Sequence, residues 1–236
     1  MSTVAGAQRA FADWHRTLAA ATGGREFSTH GCQWLYQPTR ARLVLLFPTR
    51  PEASGLRPGL AEGTRLGARE VHVFLNAAAR DEALTELGFR DAPPLFWHGG
   101  SAADVAAAGR DGQPWEGSVE LSSTLPEATG ADREELAVLQ PGRRIEQAVA
   151  RGADVTLAGR GFGQLHDGGD LSIQSLAVGR SWRRQRAGTA LLGALVERLD
   201  SEEGSGQVLA ASTPGASAFF RTNGLELLGK GRHLVQ

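Results

Sequence analysis

The sequence predicts an α/β chain of the α+β kind: a mixed, mostly antiparallel sheet flanked by helices. Three observations carry that expectation. Short apolar runs such as EVHVFLN at 70–76 and LSIQSLAV at 171–178 alternate with segments whose apolar residues recur at helical spacing. Glycine or proline marks most of the junctions between them. Residues 118–236 read in the order strand, helices, three antiparallel strands, helix, strand, helix, strand.

Residues 4–21 are expected to form a helix with Phe11, Trp14 and Leu18 on one side and Gly23-Gly24 as its stop. Strands follow at 32–38 and 42–49, the second ended by Pro48 and Pro51. The Gly- and Pro-punctuated stretch 52–67 holds a short helix near 60–66. Residues 70–76 alternate with period two as a strand, and a helix over 77–87 stops at Gly88. Residues 89–99 are extended, with Pro93-Pro94 marking an edge strand or a bulge. The Gly-, Ala-, Ser- and Asp-rich segment 101–117 reads as a linker between two domains, 1–100 and 118–236, with a helical turn at 104–108. His98-Gly99-Gly100 has the form of an oxyanion-loop tripeptide. With no G-x-S-x-G element in the chain, it reads as the start of the linker.

In the second half, 118–123 is a strand, and helical segments at 132–139 and 143–151 are separated by Pro141-Gly142. Strands at 153–159 and 162–167 pair through a hairpin turn at Gly159-Arg160-Gly161. A second turn, Asp167-Gly168-Gly169-Asp170, leads into the strand at 171–178. That strand breaks at Gly179 into an arginine-rich turn, and Leu191, Leu192, Leu195, Val196 and Leu199 then form the apolar face of a helix. Such a turn can hold an anion: free amides and the helix dipole point at it, and arginines add charge-assisted hydrogen bonds. A strand at 207–213, a helix from Pro214 to Thr222 with Gly224 past its end, and a strand region at 225–235 complete the chain.

Composition narrows the function classes. The 236 residues suffice for one large core or two small ones. A net charge of −1 argues against a general nucleic-acid binder. Lys230 is the only lysine, a bias that lowers the weight of any single arginine. Cys32 is the only cysteine, so no internal disulfide or thiolate metal cluster can form, and six histidines show no ligand spacing; no metal is expected. The first residues lack a hydrophobic signal core and no apolar run reaches membrane-spanning length, so a cytoplasmic protein without a membrane partner is expected.

Two motifs give the second half a resemblance to the GNAT acyltransferase superfamily. VGRSWRRQRAGTALL, 178–192, resembles that family's [QR]-x-x-G-x-[GA] acyl-CoA motif after a strand ending in L-x-V. Leu176-Ala177-Val178 supplies the strand end, Arg183 the first motif position and Gly188 the last, with Arg186 in place of the middle glycine. TPGASAFFRTNGL, 213–225, resembles N-P-x-A-x-x-F-Y-x-x-x-G-F through Pro214, Ala216, Phe219 and Gly224. Thr213 stands for the Asn, Phe220 for the Tyr and Leu225 for the last Phe. The resemblance covers about half the chain. Residues 70–90 echo the second motif with strand, helix and Leu-Gly-Phe but lack a pyrophosphate turn, as in a tandem protein with one degenerate half.

The resemblance implies an acyl-CoA-dependent N-acyltransferase that moves an acetyl or other short acyl group to an amine of a small molecule or peptide by direct attack. Acetyl-CoA or another acyl-CoA would be the co-substrate, held by Leu176, Ala177, Val178, Arg183, Arg184, Gln185, Arg186, Ala187, Gly188, Thr189, Phe219 and Phe220. The family's tyrosine acid is Phe220 here, and its strand carboxylate positions are Gln174 and Ser175. Glu120, His166 and Asp170 are the replacement bases, and Ser217 could act through water. The alternative is a non-catalytic CoA-binding or interaction module of the same fold; a monomer or homodimer is expected in either case. Nucleic-acid binding through 183–186 is the weakest reading, since only Trp182 accompanies the cluster.

Overall fold

A computed structural model describes residues 2–110, 114–124, 136–140, 142–201 and 205–236. The first half contains α1 (Val4–Ala21), β1 (Arg25–Thr29), β2 (Cys32–Gln37), β3 (Arg42–Leu46), α2 (Ala53–Leu66), β4 (Glu70–Asn76), α3 (Glu82–Glu86), β5 (Arg90–Ser101) and α4 (Ala102–Arg110). The second contains β6 (Ser118–Ser122), β7 (Ile145–Arg151), β8 (Leu157–Leu165), β9 (Leu171–Val178), α5 (Ala187–Asp200), β10 (Gln207–Ser212), α6 (Pro214–Thr222) and β11 (Glu226–Val235).

All the strands join one sheet in the order β1-β2-β3-β4-β11-β5-β10-β9-β8-β7-β6. Among the described residues, only β3·β4 and β9·β10 are parallel. α1 covers one face. Its Phe11 and Ala12 pack among Leu35, Val44 and Phe74, and its Trp14 and Leu18 pack on Ile145 and Phe162. Thr3 caps the helix by accepting from the Gly6 amide at 3.0 Å. On the other face α2 and α3 bury Leu56 and Leu84 over Leu43, Leu45, Val73 and Leu75. There too α4, α5 and α6 bury Val105, Leu191, Leu195 and Phe220 over Ile173 and Ala210.

The two halves exchange their last strands. β5, the last strand of the first half, pairs with β10, while β11, the last of the second, lies between β4 and β5. The segment expected as a linker therefore continues an inner strand to Ser101 and then forms α4 against α5. β5 is a central strand, so of the two readings of Pro93-Pro94, edge strand or bulge, the bulge holds: Arg232 alone stands opposite the two prolines. Its pairing with β11 absorbs that proline pair next to an irregularity in register between Gly231 and His233.

Four further expectations are corrected. Residues 145–151 form a strand and not a helix. Pairing between β6 and β8, with Ile145, Glu146, Gln147 and Ala148 buried, overrides the helical propensity of Glu, Gln and Ala. Residues 157–165 are a single strand, so Gly159-Arg160-Gly161 is not a turn. Those glycines let neighbours close in: a Cβ at Gly161 would stand 2.6 Å from Leu176 Cδ1, and one at Gly163 2.5 Å from Leu199 Cδ1. The turn lies at 152–156, closed by the Gly152 amide on the Thr156 carbonyl. α2 starts at Ala53, well before residue 60, and α3 is shorter than 77–87. β1 was not foreseen. The helix expected at 132–139 lies partly outside the described residues, and Pro141 does entirely. Among the described residues, no helix is long and apolar enough to cross a membrane.

Candidate functional site

The site grows from the way β9 and β10 part. Their parallel pairing covers Val208↔Leu171, Leu209↔Ser172 and Ala210↔Ile173, and then ends. On its other side β9 stays paired to β8 with a shift. Arg160 faces Ala177 and Phe162 faces Gln174, so Gly161 alone opposes Ser175 and Leu176. This is a bulge, and Ser175 takes a left-handed φ of 49° in it. The bulge bends the second half of β9 away from β10. Strand pairing to β10 is not resumed over residues 176–178, so β9 and β10 part between Gln174–Val178 and Ala211–Thr213, and we call this parting the gap.

The gap ends at the arginine turn. A 3-10 turn at Arg180–Trp182 follows Gly179, and α5 starts at Ala187. Arg184 and Arg186 both lie in the left-handed region, at φ 66° and 71°. Among the described residues, the amides of Arg184 to Thr189 donate to no backbone carbonyl. Alternating left- and right-handed residues turn successive N–H groups to one side and make an anion-binding concavity. Three side chains of the turn stay local. Arg183 Nε donates to the Val178 carbonyl (3.4 Å), Gln185 Nε2 to the Ser181 carbonyl (2.8 Å), and Arg186 Nη2 to the carbonyls of Ala108 and Gly109 (3.3 and 3.0 Å). The Arg186 guanidinium therefore caps the C-terminal end of α4, where a cation is favoured, and leaves the concavity clear. Arg184 is exposed beside a cleft of about 340 Å³ lined also by Pro114, Trp115 and Glu116.

Leu176 and Val178 are half-buried, Ala177 is exposed, and Ala187 and Gly188 are buried. A Cβ at Gly188 would stand 3.0 Å from Phe219 Cε2 and 3.3 Å from Val178 Cγ2, so glycine lets α6 close over the start of α5. Thr189 lines the groove between α4 and α5. The sequence-predicted cofactor residues thus share one continuous region. Phe220 is buried and stacks on His98 with ring centroids 5.3 Å apart. His98, fully buried on β5, places Nε2 3.0 Å from Ser212 Oγ at the end of β10. Burial holds the His98 imidazole below its ordinary pKa, helped by the charge of Arg221. Sequence reasoning missed Ser212 and took His98 for a linker residue. The two lie 114 positions apart and meet only through the β5·β10 pairing. On the face under α1, Gln147, Phe162 and Gln174 line up across β7, β8 and β9, with Trp14 against Phe162 at 5.5 Å.

The structure does not gather the three expected bases into this gap. Glu120 is exposed on the outer strand β6, three strands or about 14 Å from β9, and pairs with Arg151 at 3.5 Å. His166 and Asp170 stand before β9, at the end opposite the turn. His166 Nε2 contacts Ser172 Oγ at 2.9 Å and Nδ1 lies 3.7 Å from Asp13. Burial keeps its imidazole below the usual range, against the pull of Asp13, Asp170 and Asp167. Asp170 accepts from Ser205 Oγ at 3.0 Å. Ser217 is buried on α6. Among the described residues, no group of three or more His, Cys, Asp or Glu is placed to hold a metal ion.

Known proteins are similar to this chain in fold. The profile of the Acetyltransferase (GNAT) family matches residues 127–225. No curated protein matches the sequence. A GCN5-related N-acetyltransferase from Kribbella flavida is similar in structure with a TM-score of 0.67 at 15% identity, covering 100% of this chain and 96% of that one. A conserved protein of unknown function from Staphylococcus epidermidis gives 0.65 at 13% identity, covering 91% and 94%. A tandem GNAT protein from the clavulanic acid biosynthesis pathway gives 0.59 at 15% identity, covering 87% and 78%. Identities this low speak to fold alone. The parted strands, the basic turn and these likenesses lead to one conclusion: a GNAT-superfamily acetyltransferase fold occupies the C-terminal half of the chain.

Proposed function

We propose that the protein is an acyl-coenzyme A-dependent N-acyltransferase acting on an amine of a small molecule or peptide, and that its first half is a degenerate copy of the same fold. The observation that carries the reading is the gap between β9 and β10, which ends on a turn whose amides are free to hold a diphosphate. The residues present fit coenzyme A. Arg186, the residue that departs from the family motif, turns its side chain onto α4 and does not fill the concavity. Arg184 to Thr189 would hold the diphosphate by backbone N–H groups, and the unpaired edge of β9 near Leu176 and Val178 would hold the pantetheine amides. When bound, the co-substrate supplies an acyl group on a thiol whose ordinary pKa is about 8.5, so departure as thiolate at neutral pH costs about 2 kcal/mol. The chain's own work is to orient the thioester across the gap and to exclude water from it.

A non-catalytic coenzyme A-binding module is the second reading. It is favoured by Phe220, which has no proton to give, and by Gln174 and Ser175, where no carboxylate stands. Calorimetry with acetyl-coenzyme A, followed by thiol release against a panel of amines, separates the two. Binding with thiol release supports transfer, and binding without it supports the module. Wild-type chain that binds no acetyl-coenzyme A removes both. Arg184→Glu is expected to weaken binding about tenfold or more by placing a negative charge beside the turn.

A further inference from the structure

The structure assigns Ser212 a role that Phe220 cannot fill: its hydroxyl donates the hydrogen bond to the departing thiolate, and His98 holds it in place for that purpose. This rests on the acyl-transfer reading above. Ser212 is the last residue of β10, two positions past Ala210, where pairing with β9 ends. By strand alternation it shares the face of Val208 and Ala210, toward α5 and α6. It therefore stands at the mouth of the gap, across from the bulge at Ser175. It is only 5% exposed, so a donor there acts with little competition from water.

His98 sets the direction of that hydrogen bond. Its Nδ1 is buried with no partner, while its Nε2 lies 3.0 Å from Ser212 Oγ. A buried N–H with no acceptor costs more than a bare lone pair, so the imidazole proton belongs on Nε2 and is donated to Ser212 Oγ. Ser212 then accepts from His98 and keeps its own hydrogen for another acceptor. Phe220, stacked on the imidazole, fixes the ring. His98 is thus a positioning residue and Ser212 the group that would touch the reacting sulfur.

The balance needs no further reactant. The amine nitrogen forms its bond to the acyl carbon, the C–S bond breaks with its electron pair going to sulfur, and the nitrogen loses its proton to solvent. Ser212 keeps its proton throughout and stabilises the sulfur anion by a hydrogen bond. A donor that favours the anion lowers the pKa of the thiol it faces.

The test reads that pKa without turnover. Coenzyme A is titrated on the full-length protein, and the ultraviolet absorbance of its thiolate is followed with pH. The expected result is a bound thiol pKa about 1 unit below that of free coenzyme A. Ser212→Ala should return it to the free value, and Ser212→Thr, which keeps the hydroxyl, should not. His98→Gln, which keeps an N–H donor, should retain more of the shift than His98→Phe. The rate of acyl transfer should fall about 10²-fold in Ser212→Ala. A folded Ser212→Ala protein, judged by its thermal midpoint, whose bound thiol titrates as in wild type would overturn the assignment. So would mass-spectrometric detection of an acyl group on Ser212, since that would make it a nucleophile. If wild-type chain binds no coenzyme A, the acyl-transfer reading fails first and this one falls with it.

Discussion

Two strand-helix-strand-helix units, one in each half of the chain and read above as copies of one fold, differ in how their parallel strands pair. In β3–α2–β4–α3 the parallel strands pair along five positions, from Arg42↔Glu70 to Leu46↔Phe74. In β9–α5–β10–α6 pairing stops after three, and a bulge pushes the strands apart. The turn before α2 carries Pro48 and Pro51, which have no N–H, and Glu52 at the N-cap, which repels an anion. The turn before α5 carries arginines and free amides. The cavity of about 720 Å³ between the start of α2 and α3 is flanked by Glu52, Glu82 and Glu86 as well as Arg50 and Arg80. The parallel strands are therefore paired along their length in one unit and part after three positions in the other.

The largest test of the comparison is to separate the copies. A fragment of residues 118–236 loses β5, the partner of β10, and α4, the partner of α5. It is expected to show no cooperative urea transition by circular dichroism, whereas the intact chain shows one. A cooperative transition in the fragment would mean that the exchanged strands are dispensable.

Acid is the next largest perturbation, and the two largest shifts belong to His15 and His233. Burial, helped by the charge of Arg40, Arg42 and the neighbouring imidazoles, lowers the His15 pKa to about 3. His233, against His72 at 2.9 Å, is lowered to about 4, chiefly by burial. Both are neutral in the fold, while in the unfolded chain they take up protons below about 6.5. Stability is therefore whole above about pH 6.5. It declines as pH falls through the interval down to about 4 for His233 and about 3 for His15. Denaturant midpoints measured from pH 7 to pH 4 should fall steadily, and His233→Phe should make that decline shallower.

Two substitutions then probe the unit whose strands part. Gly188→Val forces methyl groups into Phe219 and Val178 and should cost about 1–3 kcal/mol in urea unfolding, with loss of acetyl-coenzyme A binding. Arg186→Ala loses the cap on α4 but keeps a side chain in the left-handed region, and should cost about 1–2 kcal/mol. Arg186→Gly loses the same cap but relieves the backbone, and should recover about 1 kcal/mol of that. Equal losses would show that the left-handed geometry carries no strain. The smallest effect belongs to Glu120→Gln. That carboxylate sits in an exposed pair far from the gap, so stability should change by less than about 1 kcal/mol and acyl transfer not at all.

How far the sequence discloses this molecule depends on what each signal requires. β4, β9, α5 and α6 are legible because their apolar periodicity and terminal Gly or Pro are local properties. Leu191, Leu192, Leu195 and Leu199 do form one buried face. β7 is misread because Glu146 and Gln147 look polar and helical. The first is buried against Arg198 of α5 at 3.2 Å, a contact that no local pattern announces. Gly159 and Gly161 look like a turn because the residues that need them small, Leu176 and Leu191, come later in the chain. The phosphate-type turn is visible in the arginines and Gly188, whereas the destination of Arg186 depends on α4, in a segment that reads as linker. Glu120, His166 and Asp170 are plausible by residue type alone. Only the sheet order separates them from the gap and brings His98 to Ser212.

The exchanged strands also set a timetable for synthesis. The first half emerges from the ribosome with β4 at an open edge, and the strand that closes it, β11, is translated after every other strand of this sheet. Until then the nascent chain presents a hydrophobic edge strand of residues 70–76, a template for pairing with another chain. Chaperone dependence, and the solubility of chains stalled before residue 226, should therefore track the delay in making the last ten residues of the sheet far more than the stability of the finished fold.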